Sequence, residues 1–258
     1  VSYVKEKNIS NISIDDGDQE LVSAIKYANS KNSKVLLSGK RAVEPTRIPP
    51  DYLLKPTSEI LDNNSFGLVN ISADKDDFFR RYPIYYPISN DSIYHYSLGV
   101  KMALIYLGID NYIIPGFDSN NRIINISSLQ IPTYGWGNTF ALNYTGPVSS
   151  SFNTFKSYPL SNVLDTKDYN IGEATYDPDF EMYEYLEDSN WMDMYIDNTN
   201  PLFPLFSVNN PFSDKIVILG PSYAESQDLH PTSFYNYEGL NYPMPGLEIH
   251  ANAAQQLL

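Results

Sequence analysis

The chain has no cysteine in 258 residues, which excludes disulfides, thiolate metal sites and cysteine nucleophiles together. Histidine is nearly as scarce, with three residues, and 17 basic side chains face 31 acidic ones. The formal charge of −14 opposes a phosphate backbone and an anionic lipid surface, so neither nucleic acid nor a peripheral membrane face is expected as a partner. No run approaches the roughly 20 apolar residues that span a bilayer, and no charged-then-apolar leader opens the chain. Phosphate-cradling glycine loops, G-x-S-x-G elbows, H-E-x-x-H and EF-hand spacings are also missing, so no cofactor and no metal are expected.

What is present describes a folded domain. Hydrophobic residues make up 42% and charged residues 19%, with 22 Tyr and 12 Phe, so the core is expected to be rich in aromatics. The length admits one large or two small domains; a single domain is expected. Absent cysteine and an Asn- and Tyr-rich composition fit an oxidising, extracytoplasmic space. The polar opening and the helix-like Gln255-Gln256-Leu257-Leu258 suggest a piece of a longer polypeptide.

Helical and strand patterns alternate, which predicts an α/β fold with a mixed β-sheet flanked by helices. Leu21, Val22, Ala24, Ile25 and Ala28 make a 3.6-residue stripe behind an N-cap at Asp18, and residues 34–39 read as a buried strand. Prolines 45, 49, 50 and 56 predict a loop over 41–56, then a short helix over 58–63. Residues 66–71 and 79–86 read as strands of one hairpin across the 74–77 turn. A helix is expected over 92–107, with Leu98, Met102, Ile105 and Tyr106 on its packed face and Gly108 as its stop. Two short strands turning at 118–121, a strand over 139–144, a helical turn over 158–164 and a strand over 215–220 follow. Residues 168–205, acidic and aromatic with Glu181, Glu184, Tyr183, Trp191 and Tyr195, read as an insertion, helical over 178–187. Their Tyr and Trp suit a partner surface or a covered sheet face equally.

Two places gather chemistry. The turn Asp74, Asp76, Asp77, Arg80 and Arg81 can cap backbone amides and clamp a carboxylate bidentately; internal ion pairing of a structural turn is the simpler reading. Asp228, His230, Glu248 and His250 could bring two imidazoles and two carboxylates above the strand ending at Gly220. Their spacing is not that of a metal site, because Glu248 and His250 are two residues apart on one helix and face differently. Ser222, Asp228 and His230 invite a hydrolase triad, but Gly220-Pro221 replaces the tight elbow and no oxyanion donor is evident. Asp74, Asp76, Arg80, Arg81, Asp228, His230, Glu248 and His250 are therefore candidates for ligand binding, with no catalytic residue.

The ordered set resembles the CHASE2 family. Asp18-Gln19-Glu20-Leu21 with Ala24 is similar to its D-x-x-L-x-x-A helix start, and Val35-Leu36-Leu37-Ser38-Gly39 to the strand that follows. Gly67-Leu68-Val69-Asn70, Asp74, Asp76 and Arg80-Arg81-Tyr82-Pro83 resemble its glycine, aspartate pair and "vRR-x-P" hairpin, and Asn143-Tyr144-Thr145-Gly146-Pro147, Phe155, Tyr158 and Val163-Leu164 resemble its middle section. The strongest likeness lies in Lys215-Ile216-Val217-Ile218-Leu219-Gly220, Asp228-Leu229-His230-Pro231-Thr232 and Met244-Pro245-Gly246-Leu247-Glu248-Ile249-His250-Ala251-Asn252. Residues 1–17 are too short and polar to supply the strand, helix and strand that usually precede the first of these elements, and that layer is expected to be missing.

The resemblance implies an extracytoplasmic sensory domain of a bacterial transmembrane receptor, such as an adenylate or guanylate cyclase, a histidine kinase or a serine/threonine kinase. It implies membrane helices on both sides of the domain, an unknown small-molecule or protein signal, and the last helix as the output element. A homodimer is left open. A secreted hydrolase using Ser222, Asp228 and His230, or a surface adhesion module, are the alternatives.

Overall fold

Helix α1 (Asp16–Ser30) starts two residues before the expected cap and buries Ile25, with Val22 and Ala28 half-buried. The computed structural model describes residues 16–57, 60, 66–89, 91, 93–109, 113–134, 137–164, 192–196, 199, 210–221 and 228–258. Two compact units divide the chain: Val1–Thr145 with Pro221–Leu258, and Gly146–Gly220. Small sheets and helices build an α/β fold, with no closed barrel among the described residues.

In the first unit, β1 (Leu37–Val43) lies between β2 (Asp51–Leu54) and β3 (Phe66–Leu68). It runs antiparallel to β2, pairing Val43 with Asp51, and parallel to β3, pairing Gly39 with Leu68. The proline-flanked stretch read as loop thus holds a strand, because prolines 45, 49 and 50 sit in its connection and leave 51–54 free to donate. The expected hairpin of 66–71 with 79–86 does not form: β4 (Arg81–Pro83) pairs with β10 (Thr139–Ala141) instead. Side-chain alternation marks a strand but not its partner. Beyond Leu68 the ladder is taken over by a side chain: Asn70 Oδ1 accepts from Arg41 N at 2.6 Å, and its Nδ2 donates to Arg41 O at 2.9 Å.

Helix α2 (Leu98–Tyr106) begins later than the pattern suggests, because His95–Tyr96 (β6) pairs with Tyr85–Tyr86 (β5). It ends at Gly108, whose φ of +67° suits glycine. Its buried residues run consecutively from Gly99 to Leu104, while Tyr106, expected on the packed face, is exposed. That follows from covering on two sides: β3 packs at Gly67, where a Cβ would lie 2.7 Å from Leu98 Cα, and helix α6 (Gly246–Leu257) at Gly99.

A meander of β7 (Gly116–Asp118), β8 (Ile123–Ile126) and β9 (Leu129–Pro132) adds one strand to the expected pair and turns Ile124, Ile126 and Ile131 into the core. They join Tyr82, Ile84, Tyr96, Val100, Leu104, Phe140, Met244 and Ile249. Each such aliphatic side chain contributes about 1.5–3 kcal/mol by leaving water. The segment before α6 folds back on itself: β11 (Leu229–His230) pairs with β14 (Met244–Pro245), enclosing the β12 (Asn236–Tyr237) and β13 (Leu240–Asn241) hairpin.

The second unit carries α3 (Ser149–Phe152), α4 (Leu160–Leu164) and α5 (Asp193–Ile196), with the Tyr158 and Phe212 rings packed edge-on at 5.4 Å. Residues 216–220 are not a strand, and Val217 and Leu219 stand 59% and 77% exposed. Their apolar composition suits a strand, but no ladder partner adjoins them among the described residues. The helices expected over 58–63 and 178–187, and most of the 168–205 insertion, lie outside the described residues.

Candidate functional site

The 74–78 turn is built by its own backbone. Asp74 N donates to Phe78 O at 2.8 Å, Asp77 N donates to Asp74 O at 3.0 Å, and Asp77 takes a φ of +65° that aspartate tolerates better than most residues. The chain leaves it extended, with Leu142 N donating to Arg80 O at 2.8 Å and prolonging the β4–β10 ladder. Arg80 and Arg81 therefore follow the acidic turn directly, and both reach back to it.

Arg80 Nη1 lies 2.9 Å from each Asp76 oxygen and 3.5 Å from Asp74 Oδ2, while Arg81 Nε donates to Asp74 Oδ1 at 2.6 Å. The four groups form one chain of alternating charge. Hydrogen bonding from Arg80 holds the Asp76 carboxyl below the usual range, and Asp76 raises the Arg80 guanidinium. Arg80 and Asp76 are 42% and 57% exposed, so solvent screens their pairing and it adds little to stability. Arg80 also lies over the Phe78 ring at 4.6 Å, and Arg81 over Tyr134 at 5.5 Å. Asp74, Asp76, Arg80, Arg81, Tyr134 and Ser233 line an open cavity of about 600 Å³.

The second candidate cluster adjoins this turn. Phe79 N donates to Pro231 O at 2.9 Å, and the Phe79 and His230 rings lie 4.4 Å apart. His230 Nε2 is 2.8 Å from Asp228 Oδ1. Asp228 O accepts from Gly246 N at 3.0 Å, and its carboxylate fills the space a Cβ on Gly246 would need. The two clusters thus adjoin in the first unit through Phe79, while the cavity is lined by the four turn residues and not by Asp228 or His230. Glu248 and His250 are buried on α6, at 6% and 5% exposure.

A family model described as the CHASE2 domain matches residues 3–258. The chain belongs to the CHASE2 family. CHASE2 domains are extracellular, non-catalytic sensory domains of signalling receptors. No curated protein and no solved structure matches this chain, and no helix among its described residues is long and apolar enough to cross a membrane.

Within this CHASE2 domain, Tyr82 connects the charged surface to the last helix. It follows Arg81 in β4, but its ring points into the core; its hydroxyl accepts from Gly99 N at 2.8 Å and lies 2.5 Å from His250 Nδ1. Burial lowers the His250 pKa to about 4, with Asp228 opposing and His230 adding to the shift. Burial also pushes the Tyr82 phenol far upward, so both groups are neutral at pH 7. Ser222, the serine of the hydrolase alternative, lies outside the described residues. Tyr82 entered the sequence analysis only as part of the Arg80–Pro83 hairpin motif, and Tyr134 and Ser233 not at all, since one tyrosine among 22 or a lone serine carries no signal without its neighbours.

Proposed function

We propose that this CHASE2 domain is the signal-input part of a bacterial transmembrane receptor of the nucleotide cyclase or histidine kinase type. Flanking membrane helices hold it outside the cytoplasm, and a small molecule or protein segment bound at the Asp74–Arg81 cavity is its signal. One observation carries this reading: Arg81, on the cavity, is the chain neighbour of Tyr82, which is hydrogen-bonded to His250 of α6.

The physical argument concerns alternative pairings. Asp74, Asp76, Arg80 and Arg81 satisfy one another while partly exposed, so an incoming charged group can exchange with either partner at small net cost. A ligand that repositions Arg81 acts on β4 and hence on Tyr82, and α6 responds to the extent that the ligand prefers one arrangement over another. A homodimer of receptors would place two such helices side by side.

The test uses the full-length receptor in its membrane, with output activity measured across signal concentrations. Arg81→Ala is expected to shift the response at least tenfold to higher signal. An unchanged response in the folded variant overturns the proposal.

A further inference from the structure

We infer that a second cleft, between Arg41 of β1 and Arg81 of β4, binds a small dicarboxylate. The cleft has a volume of about 360 Å³, and Arg41, Arg81, Tyr86, Pro83, Ser72 and Thr139 are among its lining residues. No carboxylate lines it among the described residues, which sets it apart in a chain of net charge −14. Arg81 borders both this cleft and the larger cavity.

The Arg41 wall is held in place. Asn70 brackets the Arg41 backbone with two hydrogen bonds, and Asn70 O accepts from the Tyr86 hydroxyl at 2.7 Å. Behind Arg41 stands Asp51, buried at 6% exposure and held ionised by hydrogen bonds from Ser89. The Arg41–Asp51 pair is loose: Nε and Nη2 are each 3.5 Å from the same oxygen, and Arg41 Nε and Asp51 Oδ1 are buried without a hydrogen bond. Arg41 is thus retained by charge with its donor fork incompletely used. Arg81 is tied through Nε to Asp74 at 2.6 Å, which leaves its terminal nitrogens for a second acceptor.

This geometry selects the ligand class. A guanidinium offers paired N–H donors that match a carboxylate bidentately. Arg41 is tethered to Asp51 of β2 and Arg81 to Asp74 of the 74–78 turn, so an anion that reaches both without drawing them together keeps those ties. An anion with a carboxylate at each end meets both where they stand, and Pro83 with the Tyr86 ring offers apolar wall to the carbon chain between. The volume sits at the low end for ligand pockets, which favours a chain of about four or five carbons.

Calorimetric titration of the 258-residue chain with succinate and glutarate tests this, with butyrate and inorganic phosphate as comparison arms. Saturable dicarboxylate binding is expected, at least tenfold tighter than butyrate or phosphate. Arg41→Lys and Arg81→Lys, which keep the charge opposite each aspartate but lose the fork, are each expected to weaken it at least tenfold while melting as the parent does. No dicarboxylate binding up to about 10 mM, the range of weak association, overturns the inference. So does phosphate binding as tightly as succinate, or binding unchanged in folded Arg41→Lys. The inference rests on the cleft alone: a receptor that responds through Arg81 yet binds no dicarboxylate refutes it and leaves the proposed function standing.

Discussion

The Tyr82 hydroxyl and His250 Nδ1 lie 2.5 Å apart, joining β4 to α6 across 168 residues of chain. Because Gly99 N–H donates to the Tyr82 oxygen at 2.8 Å, the phenolic proton is free to point at the imidazole. That makes Nδ1 the acceptor and places the proton of neutral His250 on Nε2. Protonating His250 would turn Nδ1 into a donor and leave the buried tyrosine proton without this acceptor.

Stability is therefore expected to depend on pH through His250. Its pKa falls from 6.5 unfolded to about 4 folded, so the unfolded chain binds the proton first as pH drops. The stabilisation is complete above about pH 6.5 and is lost as pH falls toward 4, amounting to on the order of 3 kcal/mol. The lowered carboxyls of Asp51, Asp76, Asp91 and Asp118, whose reference value is 3.8, begin to lose theirs from about pH 5 and lose most of it below about pH 4, so the decline between about pH 6.5 and 5 belongs to His250. Urea unfolding from pH 7 to 4 should show the decline, and His250→Gln should flatten it; an equal slope in both chains would refute the assignment.

Replacing Gly99 by alanine should loosen the α2–α6 crossing. The added Cβ would lie 2.8 Å from both Ala253 Cβ and His250 O and 3.0 Å from the Tyr82 hydroxyl, all parts of packed elements. A loss of about 1–3 kcal/mol is expected from overpacking, with hydrogen exchange accelerated along α6. Unchanged thermal unfolding would show that the crossing has slack.

Asn252 and Gln256, one turn apart on α6, act as a strand edge for the end of β10 and the chain that follows it. Asn252 Oδ1 accepts from Thr145 N at 2.9 Å; Gln256 Oε1 accepts from Asn143 N at 2.8 Å, and its Nε2 donates to Ala141 O at 3.0 Å. Asn252 is 1% exposed and also donates to Glu248 O at 2.8 Å, whereas Gln256 is exposed. Asn252→Ala should cost about 1–3 kcal/mol by stranding buried partners, and Gln256→Ala under about 1 kcal/mol. Chemical denaturation of the two variants decides; the reverse order would contradict the assigned burial roles.

The local chemistry of the turn was legible before any fold was known. Asp74 and Asp76 ahead of Arg80 and Arg81 announced internal pairing, and these pairs form. Gly108 marked its helix end. The 215–220 strand and the 66–86 hairpin were misread for one shared reason: a strand exists only with a partner, and no local pattern names that partner.

By itself, then, the sequence determined the family, the α/β alternation, the absence of thiol chemistry and the charged turn, because each follows from residue types at short spacing. Only the tertiary structure decided that Phe79 meets His230, that Arg41 shares a cleft with Arg81, and that Tyr82 rather than a surface residue meets His250. Those relationships join positions tens to hundreds of residues apart, and burial and strand pairing, which set them, are properties of the whole fold.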